Sequence, residues 1–307
     1  MLTAAVLPAL GIGDALLMMI ASHHLKMEGY RVTTFHHALP ELASWFPTHD
    51  LQTVPSLELL KIFDLILVEN DNSPKMKVLL DTYRSRLSIF YPTYSPTKHA
   101  PLSTQDYLFD EDLPMADNIA KSVATLLKLP LSSKENGLLP PSGLIHRLRK
   151  EQIVFHPTSR VPAKNWKAKG FLDVARKLKL KGFQPLFCVG PAERGDWAYV
   201  EEEGFALANL PTLSALAAVV YESGIVIGND SLIGHLGSNL AIPTLIIAND
   251  EKRMRLWRPG WQKGDLVLPP PYLPNWKFLR LREQKWQRFI TPRKVLRSFD
   301  QLLTSST

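Results

Sequence analysis

Three short clusters carry residue types that could do chemistry, and each follows an apolar run. In Gly11-Ile12-Gly13-Asp14 the glycines permit a tight turn, and backbone N–H groups at a helix start can face an anion or a reacting group. Asp14 is then a carboxylate held at a ligand-facing edge. Asp is also among the preferred helix N-caps, and the local pattern by itself favours that plainer role. The glycines do not complete G-x-G-x-x-G, because Leu16 stands where the third would fall, so no dinucleotide fingerprint is present.

The second cluster is His156-Pro157-Thr158-Ser159-Arg160, followed by Lys164-Asn165-Trp166. Its hydroxyls and lysine suit phosphate oxygens, Lys164 as a point charge and Thr158 and Ser159 as hydrogen-bond donors. An ordinary polar loop has the same composition. His156 has no second His, Cys or carboxylate at metal-ligand spacing and reads as a structural histidine.

The third cluster, Gly228-Asn229-Asp230-Ser231-Leu232-Ile233-Gly234-His235, is the most specific. Asp230 or Ser231 can cap a following helix whose free N–H groups make a diphosphate site. Capping gives no reason for His235, one turn further on and leaning back along the same face. Glu193, just past the apolar run ending at Val189, stands where ribose hydroxyls could be accepted.

Two further stretches invite a ligand reading. Asp110-Glu111-Asp112 spells D-x-D, yet it sits in an acidic loop before Pro114 with no converging oxygen ligands, so a solvated turn and no metal site are expected. Trp257-Arg258-Pro259-Gly260-Trp261, preceded by Lys252, Arg253 and Arg255, mixes aromatic and basic side chains as single-strand nucleic-acid binders do. No RNA-binding signature accompanies it, so a packed loop between domains, or one that meets a small ligand, is expected and a nucleic-acid partner is not.

The elements that must position these clusters alternate between strand and helix. Ala4 to Leu10 reads as a strand, Ala15 to Met27 as a helix, Arg31 to Phe35 as a strand, Leu39 to Phe46 as a short helix, and Phe63 to Glu69 as a fully buried strand. Ser85 to Tyr91 and Met115 to Lys128 follow as strand and helix. After the loose stretch Pro130 to Ser142 the pattern restarts, with strands at Ile153 to His156, Pro185 to Val189, Ile225 to Gly228 and Thr244 to Ala248. Helices are expected at Lys169 to Lys181, Leu213 to Glu222 and from near Ser231, and Thr291 followed by Pro292 opens a closing helix to Leu303. This pattern predicts two α/β domains with mostly parallel sheets, over residues 1–145 and 146–307, with a ligand cleft between them.

Composition is consistent with that division. The 307 residues are 45% hydrophobic, enough for two cores. The single cysteine, Cys188, lies in an apolar run and excludes an intramolecular disulfide, which fits a reducing compartment. Leu2 to Ala21 lacks a basic leading region and carries Pro8, two glycines and Asp14, so it reads as strand, loop and helix rather than a secretory signal. No segment is a continuous apolar span, so a cytoplasmic protein is expected, peripheral to a membrane at most. The net charge of +7 favours acidic partners, although a solvated basic face produces the same balance.

Together the three clusters resemble glycosyltransferase family 9, the ADP-heptose:lipopolysaccharide heptosyltransferases. Gly13-Asp14 before an apolar helix is similar to that family's amino-terminal G-D motif, His156-Pro157 through Lys164-Asn165-Trp166 to its H-x-(S/T)…K-x-W segment, and Asn229-Asp230-Ser231…His235 to its N-D-S-G-x-x-H signature. Ala241-Ile242-Pro243-Thr244 and Trp257-Arg258-Pro259 follow in family order. The resemblance implies a GT-B fold, two Rossmann-like domains facing across a cleft, and an inverting, metal-independent transferase without a cofactor. ADP-heptose would be the favoured donor and a lipopolysaccharide-core or related acidic glycan the acceptor, with peripheral contact to the anionic inner membrane. It implies Asp14 as general base with Gly11 and Gly13 beside the acceptor. Thr158, Ser159 and Lys164 would lie on the donor phosphates, Glu193 on the ribose, and Asp230, Ser231 and His235 near the transferred sugar. Leu232 stands where the family has glycine, and Asn249 where a glycine usually follows the strand. A nucleotide-sugar epimerase on the same scaffold, or a binder without turnover, are the alternative readings.

Overall fold

Runs such as Leu-Ile-Leu-Val at residues 65–68 bury side chains on both faces, which only a sheet covered by helices on each side allows. The computed structural model describes residues 1–99, 101–271, 275–276, 279–280 and 285–305. The chain divides into two compact units, Met1–Pro141 and Ser142–Thr307.

The first unit runs β1 (Thr3–Leu7), α1 (Ile12–Met27), β2 (Arg31–Phe35), β3 (Asp50–Gln52), β4 (Leu65–Glu69), α2 (Pro74–Tyr83), β5 (Leu87–Tyr91), β6 (Tyr107–Leu108) and α3 (Met115–Leu127). The strand order is β3-β2-β1-β4-β5-β6, with every pair parallel. Alternate residues of the central strands (Ala5, Leu7, Ile66, Val68, Leu87, Ile89) pack against Met76, Leu79 and Tyr83 of α2. The helix α2 escapes a reading by apolar period because its outer face is charged; it begins where Ser73 Oγ accepts the Met76 N–H at 3.2 Å ahead of Pro74. The expected strand at Ala4 to Leu10 ends at Leu7, and α1 starts three residues earlier than its apolar run.

The second unit repeats the plan: β7 (Arg149–His156), α4 (Ala168–Leu180), β8 (Gln184–Phe187), α5 (Tyr199–Glu202), β9 (Ala206–Leu207), α6 (Leu213–Glu222), β10 (Ser223–Asn229), α7 (Leu232–Asn239), β11 (Thr244–Ile247), α8 (Glu251–Trp257) and β12 (Asp265–Val267). Its sheet order, β12-β11-β10-β7-β8-β9, is the first unit's order read from the other edge, again all parallel. A short antiparallel pair, β13 (Asn275–Trp276) and β14 (Leu279–Arg280), precedes the closing helix α9 (Pro292–Ser305). Thr291 Oγ1 accepts the Lys294 N–H at 3.3 Å, the cap expected from Thr-Pro. Val295, Phe299 and Leu302 of α9 join Phe171, Val174 and Leu178 of α4 over Ile153, Phe155, Ile225 and Ile227, so the tail of the chain completes this core.

The strand β7 begins four residues before its apolar signal, because Arg149 to Glu151 are exposed yet still pair along β10 as far as Ser223. The basic residues Lys252, Arg253 and Arg255, which precede the expected loop at Trp257 to Trp261, are helical in α8; Asp250 caps it by accepting the Arg253 N–H at 3.3 Å. The thiol of Cys188 is fully buried, which pushes it up to about 12 and leaves it unreactive. Asp110 to Asp112 forms a turn in which the Asp112 N–H donates to Asp110 Oδ1 at 3.0 Å. Among the described residues no helix is long and apolar enough to cross a membrane.

At Gly224, where β10 shifts register against β7, a Cβ would stand 1.8 Å from the Lys150 carbonyl oxygen. Because that neighbour is backbone, Gly224→Ala must displace one of the two central strands. It is expected to cost about 3 kcal/mol, lowering the melting temperature by roughly 6–12 °C in calorimetry; an unchanged melting temperature would reject the close approach.

Candidate functional site

In both sheets the order reverses between two central strands, β1 and β4 in the first unit and β7 and β10 in the second. Helices after such strands leave on opposite faces, so the loops diverge and open a crevice at the carboxyl ends. The three clusters fall in these loops: Gly11 to Asp14 after β1, Thr158 to Lys164 after β7, and Asp230 to His235 after β10.

In the first unit Asp14 is not a helix cap. The N-cap position belongs to Gly11, with no side-chain cap, and Gly13 and Asp14 occupy the second and third positions of α1. Gly11 has φ −73°, which any residue adopts, so no unusual turn requires a glycine there. A Cβ there would meet Asp14 Oδ2 at 2.3 Å, so a side chain at this position would make the Asp14 carboxylate shift from its present place.

Two residues from the strands flanking β1 clamp this loop, and neither was marked by the sequence. Glu69, at the end of β4 and 4% exposed, accepts the Ala9 N–H through Oε2 at 3.1 Å. His36, just past β2, accepts the Ala38 N–H at Nδ1 (3.2 Å), which leaves Nε2 to donate to the Leu10 carbonyl (3.2 Å). Burial pushes the His36 imidazole down to about 4 against the pull of that carbonyl, so it is neutral at pH 7. Burial also holds the Glu69 carboxyl well above the usual carboxylate range, nearby Asp14 raises it further, and the Ala9 N–H only partly opposes them.

In the second unit the loop after β7 is stapled to β10. Asn229, fully buried, accepts the Trp166 N–H at 2.9 Å and donates to the Pro157 carbonyl at 2.6 Å. The Trp166 indole N–H donates to the Ile290 carbonyl at 3.2 Å, and its ring packs edge-on against Phe171. With both ends of the loop held, Lys164 Nζ reaches Asp230 Oδ2 at 2.8 Å, and Arg253 Nε of α8 approaches the same oxygen at 3.3 Å. Burial would raise the Asp230 carboxyl, but Lys164 and Arg253 pull it below the ordinary value, so it is ionised at neutral pH. By sequence Arg253 reads only as one of three neighbouring basic residues, Lys252, Arg253 and Arg255.

Thr158 Oγ1 donates to Glu193 Oε2 at 2.8 Å, and the Gly190 N–H donates to the same oxygen at 3.0 Å, so these two expected donor contacts are joined. Ser159 Oγ faces its own loop, 2.6 Å from Asn165 Oδ1 and 2.9 Å from the Val161 carbonyl. Ser231 is the N-cap residue of α7 but makes no cap hydrogen bond, and Asp230 is spent on its cations, so neither caps with its side chain. Among the described residues Ser231 Oγ and His235 Nδ1 are buried without a hydrogen-bond partner. Burial pushes His235 down to about 4 despite Asp230, with Arg253 and Lys164 adding to the shift, so it too is neutral. Leu232 opens α7 without entering the left-handed backbone region, so its position does not demand glycine.

A profile of glycosyltransferase family 9 (heptosyltransferase) matches residues 108–261, half of the chain. The chain belongs to this family. It is a nucleotide-sugar glycosyltransferase with the GT-B fold. The matched segment contains Thr158 to Lys164, Glu193 and Asp230 to His235, whereas Gly11 to Asp14 lie outside it. Solved structures of similar fold include a family 9 glycosyl transferase from Veillonella parvula (17% identity, TM-score 0.71, covering 99% of this chain and 97% of that one). The E. coli ADP-heptose lps heptosyltransferase II is similar at 15% identity and TM-score 0.71, over 100% of this chain and 99% of that one. E. coli heptosyltransferase WaaC with ADP is similar at 14% identity and TM-score 0.70, over 98% and 100%. No curated protein sequence matches the chain.

For this family 9 enzyme the clamp at Ala9 yields a test. Glu69→Gln keeps an acceptor for the Ala9 N–H without a charge and is expected to retain turnover within about threefold, whereas Glu69→Ala strands that N–H at a cost of about 1–3 kcal/mol. Calorimetric melting of both variants checks this, and a wild-type melting temperature for the alanine variant would reject the clamp.

Proposed function

We propose that this transferase moves a heptose from ADP-heptose to a lipopolysaccharide-core or related acidic glycan, with inversion and without a metal ion. The observation that carries this reading is the loop after β7 delivering Lys164 to Asp230 beside the start of α7, where Arg253 joins it, so that two cations share one carboxylate where a diphosphate leaving group would develop its negative charge. ADP is the nucleotide bound by E. coli WaaC, and an ADP-linked fluoro-heptose is bound in a second structure of that enzyme.

In this scheme residues 1–145 hold the acceptor and its base, and residues 146–307 hold the donor. Asp14 takes the proton of the acceptor hydroxyl as its oxygen attacks the anomeric carbon; the bond from that carbon to the diphosphate breaks on the opposite side, and ADP departs. A carboxylate acting so contributes about 10²- to 10⁴-fold. Gly11 and Gly13 leave the acceptor room to approach. Lys164, Thr158 and Ser159 bind the phosphates, the last by turning its hydroxyl from Asn165, and Glu193 accepts from the ribose. Ser231 and His235 offer their unpartnered buried atoms to the donor next to the transferred sugar, and Asp230 aligns the lysine. The charge of +7 supports work in the cytoplasm at the anionic inner membrane, where a glycolipid acceptor would be presented.

With EDTA present throughout, wild-type turnover is expected to persist, while Asp14→Asn lowers it at least about 100-fold and leaves ADP affinity within about twofold. Unimpaired turnover in that variant removes Asp14 from the base role, and loss of wild-type turnover in EDTA removes metal independence. Lys164→Ala is expected to weaken ADP binding about 10- to 100-fold in titration calorimetry, the loss typical of one charge-assisted hydrogen bond; unaltered affinity rejects the phosphate assignment.

A further inference from the structure

Asp230 is one buried carboxylate facing two cations. Lys164 already satisfies it at 2.8 Å, so Arg253 brings a positive charge that the protein itself does not neutralise there. Arg253 is also the better preorganised of the two. Its backbone N–H is fixed by the Asp250 cap at the start of α8, and its guanidinium lies over the Trp257 ring, 4.4 Å from the centroid and one turn along the same helix. Only Nε is turned to Asp230, and the two terminal NH2 groups have no hydrogen-bond partner among the described residues. The Arg253 and Lys164 side chains remain 36% and 22% exposed while Asp230 is 8% exposed, so the cations face outward from the carboxylate that holds them. Ser231 Oγ and His235 Nδ1, buried and unpartnered on the adjoining turn of α7, mark the same place as one where a ligand completes the hydrogen bonding.

A second surface cation beside an ion pair adds little to folding. Its value lies in an anion with more than one charge, because the planar fork of arginine engages two non-bridging oxygens at once and lysine only one. We infer that Arg253, held flat by Trp257, is a second diphosphate-binding residue that grips the nucleotide's terminal phosphate beside Lys164, with Asp230 spacing the two cations. This rests on the nucleotide-sugar reading of the same loops. It also assigns a use to the basic and aromatic stretch that begins at Lys252, which carries no other part of the reaction. A terminal-phosphate contact distinguishes a nucleoside diphosphate from a monophosphate, so the predicted signature is discrimination between ADP and AMP.

The experiment is titration calorimetry of ADP and AMP on the full chain, for wild type, Arg253→Gln, Arg253→Lys and Trp257→Leu, with melting temperatures recorded alongside. The expected result is at least about a tenfold loss of ADP affinity in Arg253→Gln, with AMP affinity within about threefold, the difference expected for one bidentate charge-assisted contact. Arg253→Lys recovers part of the loss, since charge without the fork remains, and Trp257→Leu weakens ADP binding less than Arg253→Gln. Equal losses for ADP and AMP would assign Arg253 a structural part only and overturn the inference, as would ADP affinity in a folded Arg253→Gln within twofold of wild type. Wild-type protein that binds none of ADP, GDP, UDP or CDP would instead overturn the nucleotide reading itself, and this inference with it.

Discussion

The reversal of strand order at the middle of each sheet is the constraint on which everything else hangs. A parallel strand needs a crossover helix, and right-handed crossovers send the helices after two adjacent central strands to opposite faces. The loops between them separate, and backbone ends and polar side chains accumulate where no helix covers the sheet. Because the two units share this order, the polar clusters fall after central strands in both, after β1 in one and after β7 and β10 in the other. The core is ordinary by comparison: buried aliphatic strands, covered on both faces, serve to hold those loops still.

What the two units put into equivalent loops differs in sign. The first collects carboxylates, with Asp14 on α1 and Glu69 beneath the loop before it. Two acids in a partly buried space cannot both ionise cheaply, and Glu69, the more buried, is the one whose charge is disfavoured. It holds the loop as a hydrogen-bond acceptor while Asp14 stays partly exposed. The second unit surrounds a single ionised carboxylate with cations and neutral donors, because Asp230 is too buried to keep its charge without them. That need for a partner is met by Lys164 from one loop, and Arg253 from another helix adds a second cation beside it. A pair of neighbouring carboxylates and a carboxylate held between two cations therefore arise from the same topology by different pairing rules.

Neutral, buried polar groups finish the arrangement. Asn229 ties the loop after β7 to β10 through its amide, so the reach of Lys164 depends on a fully buried side chain. His36 does the same for the first unit with a fixed tautomer. Ser231 Oγ and His235 Nδ1, together with His156 Nδ1 at the end of β7, are among the described side-chain atoms buried with unspent hydrogen-bonding capacity. Unsatisfied groups of this kind cost free energy in the folded chain unless something binds them.

By itself the sequence determined most element types, the order of the polar clusters and their place after strands, because apolar period and glycine, proline and cap residues act over a few positions. Residues Arg31–Phe35 and Leu213–Glu222 were legible to the residue for that reason. Tertiary structure decided what each polar residue is paired with. Asp14 reads locally as a cap, but its helix begins at Ile12 and puts the carboxylate beyond the capping position. Asp230 and Ser231 likewise look like caps until Lys164, 66 residues away in sequence, takes the carboxylate. Glu69, His36 and Arg253 carry no local signal at all, since their partners lie 60, 26 and 23 residues distant. Hydrogen bonds and ion pairs form between groups that the sheet order brings together, and that order is set by the packing of the whole unit, which no short window of sequence contains.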